Sequence, residues 1–164
     1  MTIEINLGHG RVALVDDADE ELVRGYPWRL HHTGRASGGY ARADFTVDGK
    51  RIKILMHRLI LDARPGQFTD HADGDGLNNR RVNIRLCTHG ENMRNRRKHK
   101  ASERSPYKGV YVYAKTGKWI SIIADPALKR ATTIGVFADP IEAAKAYDIE
   151  AKKRFGEFAS LNFP

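Results

Sequence analysis

A run of ten residues near the middle of the chain, DHADGDGLNN at positions 70–79, restricts how the neighbouring segments can fold. Its glycines and asparagines favour turns, so a solvated loop is the simplest interpretation. The segment VNIRLC at 82–87 can form a strand after it, which gives the order strand, long loop, strand. An Asp-His pair at the start of such a loop also suits a metal-dependent hydrolase, so the loop alone leaves two interpretations open.

The helix expected after the second strand carries a clear start signal. In THGENMRNRRKHK, residues 88–100, Thr88 is followed three positions later by Glu91, which is the spacing of a capping box. A strand pair packed on one helix can bring together four polar candidates that lie at fixed places in this order: Asp70, His71, Asn83 and Asn92.

The first fifty residues differ in charge from the rest of the chain. They carry six Lys and Arg against eight Asp and Glu, whereas residues 51–164 carry twenty-two against twelve. A basic balance of this size indicates a polyanionic partner, and nucleic acid is favoured over a membrane surface because no basic amphipathic helix is evident. With 41% hydrophobic and 29% charged residues among 164, the chain is expected to build small cores rather than one large core.

Several classes of protein are disfavoured by the sequence. No apolar run approaches the roughly 18 residues of a membrane span, and the first residues do not follow the basic-then-hydrophobic order of a signal peptide. We therefore expect a soluble, intracellular and cytoplasmic protein with no membrane partner. Cys87 is the single cysteine, so neither a disulfide framework nor a Cys-x-x-Cys zinc site is expected.

Residues 107–164 show a pattern of their own. Three strand-like runs, YKGVYVY, KWISIIA and RATTIGVF, precede Asp139-Pro140, and Glu142 then occupies the third helical position. A capping Asp, a proline in the first position and a third-position Glu predict a helix that ends at Gly156. Small alanines on one face of this helix would let it lie close against a three-stranded sheet.

The central segment resembles the HNH homing endonucleases of the β-β-α-metal nuclease class. The resemblance rests on MHRLIL at 56–61, DH at 70–71, DGDGLNNRRVNIR at 73–85 and ENMRN at 91–95. It implies a nuclease module over residues 56–98. The three signature positions of the family are filled by His71, Asn83 and Asn92.

The residue types also fit phosphodiester hydrolysis. His71 is the expected general base, because a neutral imidazole can accept a proton from water near neutral pH. Asp70 and Asn92 offer hard oxygen ligands to one Mg²⁺ ion, or to another divalent cation such as Mn²⁺. Asn83 is expected to hold the loop through side-chain bonds to the backbone and so to orient His71. No small-molecule cofactor is expected.

Other interpretations apply to neighbouring residues. The motif DGDG at 73–76 hints at a calcium loop, but the twelfth position is Ile84, where a bidentate Glu is required. Asn78 and Asn79 are expected to be turn residues. His57 and Arg58 are expected either to brace the site or to contact phosphate.

Residues 107–164 resemble the plant-type ethylene-response-factor DNA-binding domain through YKGV, GKW, DP, IGVF, EAAKAYD and the closing LNFP. The resemblance implies a three-stranded sheet that lies in the major groove of double-stranded DNA and is backed by the helix. Tyr111 and Tyr113 replace base-reading arginines of that family, and Ile122, Ala124 and Thr133 replace other readers. The target sequence of the plant domain is therefore not expected here.

The cationic run at 94–108 is expected to track the phosphate backbone, although a solvated helix end followed by a linker also explains it. The residues expected to contact DNA are Arg94, Arg96, Arg97, Lys98, Lys100, Lys108, Tyr111, Tyr113, Lys115, Lys118 and Arg130.

These features predict an α+β chain in four segments. They are a β-rich N-terminal extension (1–55), a ββα-metal nuclease module (56–98), a basic linker (99–106), and a three-stranded antiparallel sheet packed on one helix (107–164). The expected function is metal-dependent DNA cleavage directed by the C-terminal sheet, as in a phage- or intron-associated homing endonuclease of a bacterial or phage host. The alternative is a non-cleaving DNA-binding regulator whose nuclease module has decayed, and the intact Asp70, His71, Asn83 and Asn92 argue against it.

Overall fold

The structure, a computed structural model, describes residues 1–32, 38–95, 105–125 and 130–164. These residues form ten β-strands in four small antiparallel sheets together with four α-helices, which confirms the predicted α+β class. The chain divides into two compact units, Met1–Asn92 and Met93–Pro164. Within the described ranges, every helix is too short or too polar to cross a lipid bilayer.

The first unit contains three small sheets. Strand β1 (Thr2–Asn6) pairs with β2 (Val12–Asp16), and a short 3-10 helix (Asp17–Asp19) leads into helix α1 (Glu20–Val23). The second sheet has the order β3–β4–β5, formed by Trp28–His31, Tyr40–Val47 and Lys50–Leu55, and helix α2 (Met56–Ile60) follows it. Strand β6 (Phe68–His71) then pairs with β7 (Ile84–Cys87), and helix α3 (His89–Asn95) comes next.

The buried apolar side chains that the structure describes in this unit belong to one cluster. Strand β2 contributes Ala13 and Val15, which alternate with less buried neighbours as in a half-buried strand. Met56 and Ile60 from α2 and Ile84 from β7 belong to the same cluster. Residues before and after position 55 therefore share one hydrophobic core.

The loop between β6 and β7 is attached to β2. The backbone amide of Leu14 donates to the Leu77 carbonyl at 2.8 Å, and the Asn79 amide donates to the Leu14 carbonyl at 2.7 Å. The Arg81 guanidinium donates to the buried Asp19 carboxylate at 2.7 Å. The segment is a loop, as predicted, but its second half is buried against the sheet rather than solvated.

The second unit is a sheet backed by one helix. Strands β8 (Val110–Val112), β9 (Trp119–Asp125) and β10 (Arg130–Phe137) form an antiparallel sheet with β9 in the centre. Helix α4 (Pro140–Phe155) follows, and a 3-10 helix (Gly156–Phe158) ends it. The Asp139 carboxylate accepts a hydrogen bond from the Glu142 amide at 3.0 Å, which confirms the predicted cap.

Two features of the C-terminal sequence fix the sheet to this helix. Gly109 has φ +74°, and a Cβ there would lie 2.1 Å from a ring carbon of Tyr147, so only glycine fits. Near the C-terminus, the Asn162 side chain accepts from the Lys108 amide at 2.7 Å and donates to Asp148 at 3.0 Å. The closing LNFP segment is thereby tied to the start of the sheet and to the helix.

Candidate active site

Asp70 and His71 lie at the end of β6 and are both buried, at 9% and 6% exposure. Antiparallel pairing places Asp70 opposite Arg85 and His71 opposite Ile84 on β7. The start of the following helix is fixed by a capping box, because the Thr88 hydroxyl accepts from the Glu91 amide while the Glu91 carboxylate accepts from the Thr88 amide at 2.7 Å. The capping box predicted from the sequence is thus confirmed.

The His71 imidazole is packed among aromatic rings. Its ring centroid lies 4.7 Å from that of His57 in an edge-to-face arrangement, and 5.7 Å from that of Tyr40. Its Nε2 atom lies 3.5 Å from the Asn79 side-chain oxygen. Gly76 allows Tyr40 to approach, because a Cβ at that position would lie 2.6 Å from the Tyr40 ring. These contacts restrict the orientation of the His71 ring.

The protonation of His71 follows from its burial. Desolvation lowers the pKa of His71, and this effect is opposed in part by the Asn79 hydrogen bond and by the negative charges of Asp73, Asp70 and Asp75. At neutral pH the ring is therefore uncharged, which is the form that accepts a proton.

Asn83 connects the two ends of the loop. Its side-chain oxygen accepts from the Asp73 amide at 3.0 Å, and its side-chain nitrogen donates to the Asp73 carboxylate at 2.9 Å and to the Asn78 carbonyl at 2.7 Å. Burial opposes ionisation of Asp73, yet the hydrogen bonds from Asp75, Asn78 and Asn83 lower the pKa of this carboxyl. Asn83 thus holds the segment that begins directly after His71.

The charge of Asp70 and the backbone amide of Asn92 both act on the Cys87 thiol. Burial, followed by the charges of Asp70 and Glu91, raises the pKa of the Cys87 thiol, and the Asn92 backbone amide donates a hydrogen bond to it. A carboxylate and an amide oxygen are hard donors of the kind Mg²⁺ takes, so the donor chemistry fits the expected cation. In the part of the chain that the structure describes, no group of three or more His, Cys, Asp or Glu side chains is arranged to hold a metal ion.

The Asp70 carboxylate also forms an ion pair. The Arg85 guanidinium lies 2.9 Å from it through Nη2 and 3.3 Å through Nε. The two side chains are 15% and 9% exposed, so the pair is largely shielded from solvent.

The residues expected to contact DNA occupy different environments. Tyr111, Lys115, Lys118 and Arg130 are exposed, and Tyr113 is partly buried. Another four of these residues lie outside the described part of the chain: Arg96, Arg97, Lys98 and Lys100.

Lys108 and Arg94 are engaged within the second unit. The Lys108 ammonium donates to the Arg94 carbonyl at 2.7 Å, and the Arg94 guanidinium lies 5.1 Å from the centre of the Phe155 ring. Burial lowers the pKa of Lys108 to about 8, against the opposing charge of Asp148. The structure therefore gives both residues contacts within the protein that the sequence did not indicate.

One face of the C-terminal sheet is directed away from α4. Val110 and Ile123 pack toward α4, so the residues that alternate with them lie on the outer face. Cross-strand pairing defines the outer rows: Tyr111 with Ile120 and Val136, Ile122 with Thr133, and Ala124 with Ala131. This face is mainly apolar. The charged Lys118 and Arg130 lie at or next to strand ends, and Lys115 lies in the turn between β8 and β9.

Three contributors to the site were missed from the sequence. Tyr40 comes from a distant strand, the sequence indicates Asn79 only as a turn residue, and no motif assigns a role to Arg85. Arg85 lies in the segment VNIRLC. Antiparallel pairing of this segment with the strand before the loop places Arg85 opposite Asp70, which is the sequence feature that indicates its role. His57, expected to brace the site or contact phosphate, lies against His71.

The chain is similar in sequence to two kinds of known protein. Over 159 residues, 94% of the chain and 76% of the relative, it is 28% identical to an uncharacterized HNH endonuclease, L560, of Acanthamoeba polyphaga mimivirus. It is 40% identical over 58 residues to the Arabidopsis thaliana ethylene-responsive transcription factor ERF024, and 39% identical over 59 residues to ERF010. The chain spans 32% of the length of each plant protein, and no family model matches it. The weak viral similarity suggests a nuclease, and the plant similarity, which covers 35% and 36% of the chain, suggests DNA binding.

Proposed function

We propose that the chain is a divalent-metal-dependent endonuclease that hydrolyses DNA phosphodiester bonds at the site around His71. One observation carries the proposal: a buried imidazole with a lowered pKa is held by aromatic and amide contacts directly beside a buried carboxylate. The similarity to a viral HNH endonuclease over most of the chain supports it.

In this proposal His71 is the general base. Its neutral ring takes a proton from the attacking water, the water oxygen bonds to phosphorus, and the bond from phosphorus to the 3′ oxygen breaks. Asn83 positions the base, because the Asn83 carbonyl accepts from the Ala72 amide at 2.8 Å while its side chain holds Asp73. The backbone that directly follows His71 is therefore held by hydrogen bonds before substrate binds.

Asp70 and Asn92 are the residues that would hold the divalent cation. A bound Mg²⁺ or Mn²⁺ ion would supply charge neutralisation on the phosphoryl oxygens and on the departing oxygen. The Asp70 carboxylate is already shielded from solvent at the end of β6, which strengthens its electrostatic interactions.

The C-terminal sheet is the proposed DNA-binding surface. Its outer face carries Tyr111, Ile120 and Val136 in one row, side chains that suit contact with thymine methyl groups but cannot form the bidentate hydrogen bonds that read guanine. Nearby lysines and Arg130 suit phosphate contacts. We therefore expect binding to double-stranded DNA with modest sequence preference, weakened strongly by salt. A phage- or intron-associated homing role is the specific form of this proposal.

The test requires a DNA target first. Selection from a random duplex library identifies a preferred site, which is then placed in supercoiled plasmid for single-turnover nicking with Mg²⁺. His71→Ala should lower the rate by roughly the 10²- to 10⁴-fold typical of a lost general base. The matched control is His32→Ala, because His32 is an exposed histidine of the same unit, and it should leave the rate unchanged.

Two further measurements separate cleavage from binding. Asp70→Ala should abolish nicking while DNA affinity in EDTA changes little. Equal trace nicking by the wild type and by His71→Ala on the selected site would contradict the endonuclease proposal and favour a non-cleaving regulator.

A further inference from the structure

The Arg85 guanidinium lies inside the proposed site, and the hydrolytic chemistry described above does not use it. Its Nη2 atom lies 2.9 Å from the Asp70 carboxylate and its Nε atom 3.3 Å. Ion pairs at the surface contribute little, but this pair is largely buried and has two donor atoms directed at the same carboxylate oxygen. The contact is therefore a substantial feature of the site.

The ion pair is built into the strand register. Asp70 and Arg85 are direct cross-strand partners on β6 and β7, and each strand is only four residues long. Opposite charges in directly opposed positions attract each other across the sheet. The same carboxylate is the anionic ligand that the proposed function assigns to the cation.

We propose that Arg85 couples cation binding to DNA binding. In the free protein the Arg85 guanidinium compensates the charge of Asp70. When DNA binds, the guanidinium moves to a DNA phosphate, and the Asp70 carboxylate becomes available to bind the divalent cation. This inference rests on the proposed function, because it takes Asp70 as a ligand of the cation.

Electrostatics gives the direction of the coupling. A guanidinium and a divalent cation repel each other when they share one carboxylate, so Arg85 weakens cation binding to the free protein. A phosphate offers the planar guanidinium an equally suitable acceptor, often with two parallel hydrogen bonds. Because linkage is reciprocal, DNA must then strengthen cation binding by the same factor by which the cation strengthens DNA binding.

The experiment measures Mn²⁺ binding to the full-length protein by electron paramagnetic resonance, so that its result does not depend on cleavage. Without DNA, Arg85→Gln should bind Mn²⁺ roughly tenfold more tightly than the wild type, within the usual range of coupling between sites. Arg85→Lys, which keeps the charge, should fall between them and serves as the second variant if Arg85→Gln folds poorly. Arg81→Gln is the matched control, because Arg81 pairs with another buried carboxylate, Asp19, and it should not change Mn²⁺ affinity.

A second arm adds the selected duplex to proteins that also carry His71→Ala, which prevents cleavage. DNA should tighten Mn²⁺ binding when Arg85 is present and should have a smaller effect with Arg85→Gln. Unchanged or weaker Mn²⁺ binding in Arg85→Gln, with binding lost in Asp70→Ala, would overturn the coupling and leave the endonuclease proposal standing. Mn²⁺ binding that Asp70→Ala does not affect would overturn both.

Discussion

Acidification should destabilise the Met1–Asn92 unit through His57, and His57→Phe should remove part of this sensitivity. His57 is 4% exposed, and its Nδ1 atom is buried with no hydrogen-bond partner within the described residues. Burial, together with the charges of His71 and Arg58, lowers the pKa of His57 from 6.5 to about 3. The folded protein therefore keeps this ring neutral over a pH range in which the unfolded chain protonates it.

The sign and size of this pH dependence follow from the difference between the pKa of His57 in the folded and in the unfolded protein. Between the two pKa values the unfolded state binds one more proton, so the free energy of unfolding falls as the pH decreases below 6.5 and stops falling near pH 3. One proton corresponds to about 1.4 kcal/mol per pH unit, so a change from about pH 7 to about pH 4.5 should remove about 2 to 3 kcal/mol. Burial lowers the pKa of His71 as well, which adds to the loss in the same direction.

Phenylalanine at position 57 keeps a ring against His71 and Tyr40 but cannot ionise. It also removes the unpartnered nitrogen and adds volume, which have opposite effects on stability at neutral pH. These two effects on the free energy of unfolding do not depend on pH, so they cancel when the same variant is compared at two pH values. The relevant quantity is therefore the change in free energy of unfolding between pH 7 and pH 4.5, which should be smaller in His57→Phe by about 2 to 3 kcal/mol.

The measurement is urea unfolding of the full chain at the two pH values, followed by tryptophan fluorescence. Trp28 belongs to the core of the first unit, and a Trp119→Phe background removes the signal from the second unit. His32→Gln removes an exposed histidine and is the matched control, for which the wild-type pH dependence should persist. The reasoning is refuted if His57→Phe and the wild type lose the same stability on acidification.

Three further predictions test other contacts. Gly109→Ala should destabilise the second unit by about 3 kcal/mol or more in thermal unfolding followed by Trp119, because φ is +74° and the added Cβ meets the Tyr147 ring; a change within error would contradict this. Asn162→Ala should cost the same unit about 1 kcal/mol, because it leaves the partly buried Lys108 amide and Asp148 carboxylate without these hydrogen bonds, and an unchanged midpoint of thermal unfolding would contradict this. Asn83→Ala should slow nicking less than loss of the base and should expose the loop to limited proteolysis, whereas unchanged proteolysis would show that Asn83 does not hold the loop.

The features that the sequence predicted best depend on residues close together in the chain. The dipeptide Asp48-Gly49, whose residue types are typical of a two-residue hairpin turn, joins β4 to β5, and both residues have positive φ. The two helix caps are likewise formed between residues three positions apart. The acidic segment DADEELVRG is likewise helical over a short stretch, as its composition predicts: a 3-10 turn (Asp17–Asp19) leads into one turn of α-helix (Glu20–Val23).

The long-range features of the site could not be predicted in the same way. The ring contacts of His71 come from β4 and α2, and the attachment of the loop comes from β2. Periodicity indicates which residues are buried in each segment, but not which segments meet. Sequence patterns therefore predict residues 1–55 as a separate extension, whereas their buried side chains share one core with Met56, Ile60 and Ile84.

The crowding of polar residues at 70–79 is explained by hydrogen bonding rather than by solvation alone. Asp73 accepts from the Asp75 amide at 2.8 Å and from the Asn78 side chain at 2.7 Å, and Asn79 donates to the Leu77 carbonyl at 3.0 Å. A buried polar group left unpaired costs about 1 to 3 kcal/mol, so a loop that pairs these groups internally has few alternative conformations of similar energy. The polar residues thus make a rigid support for His71 out of a segment that turn propensity alone would leave irregular. Asp70, immediately before this support, interacts instead with Arg85. In the proposed mechanism the His71 base is thus held in one orientation, while the Asp70 carboxylate can exchange the Arg85 guanidinium for the divalent cation.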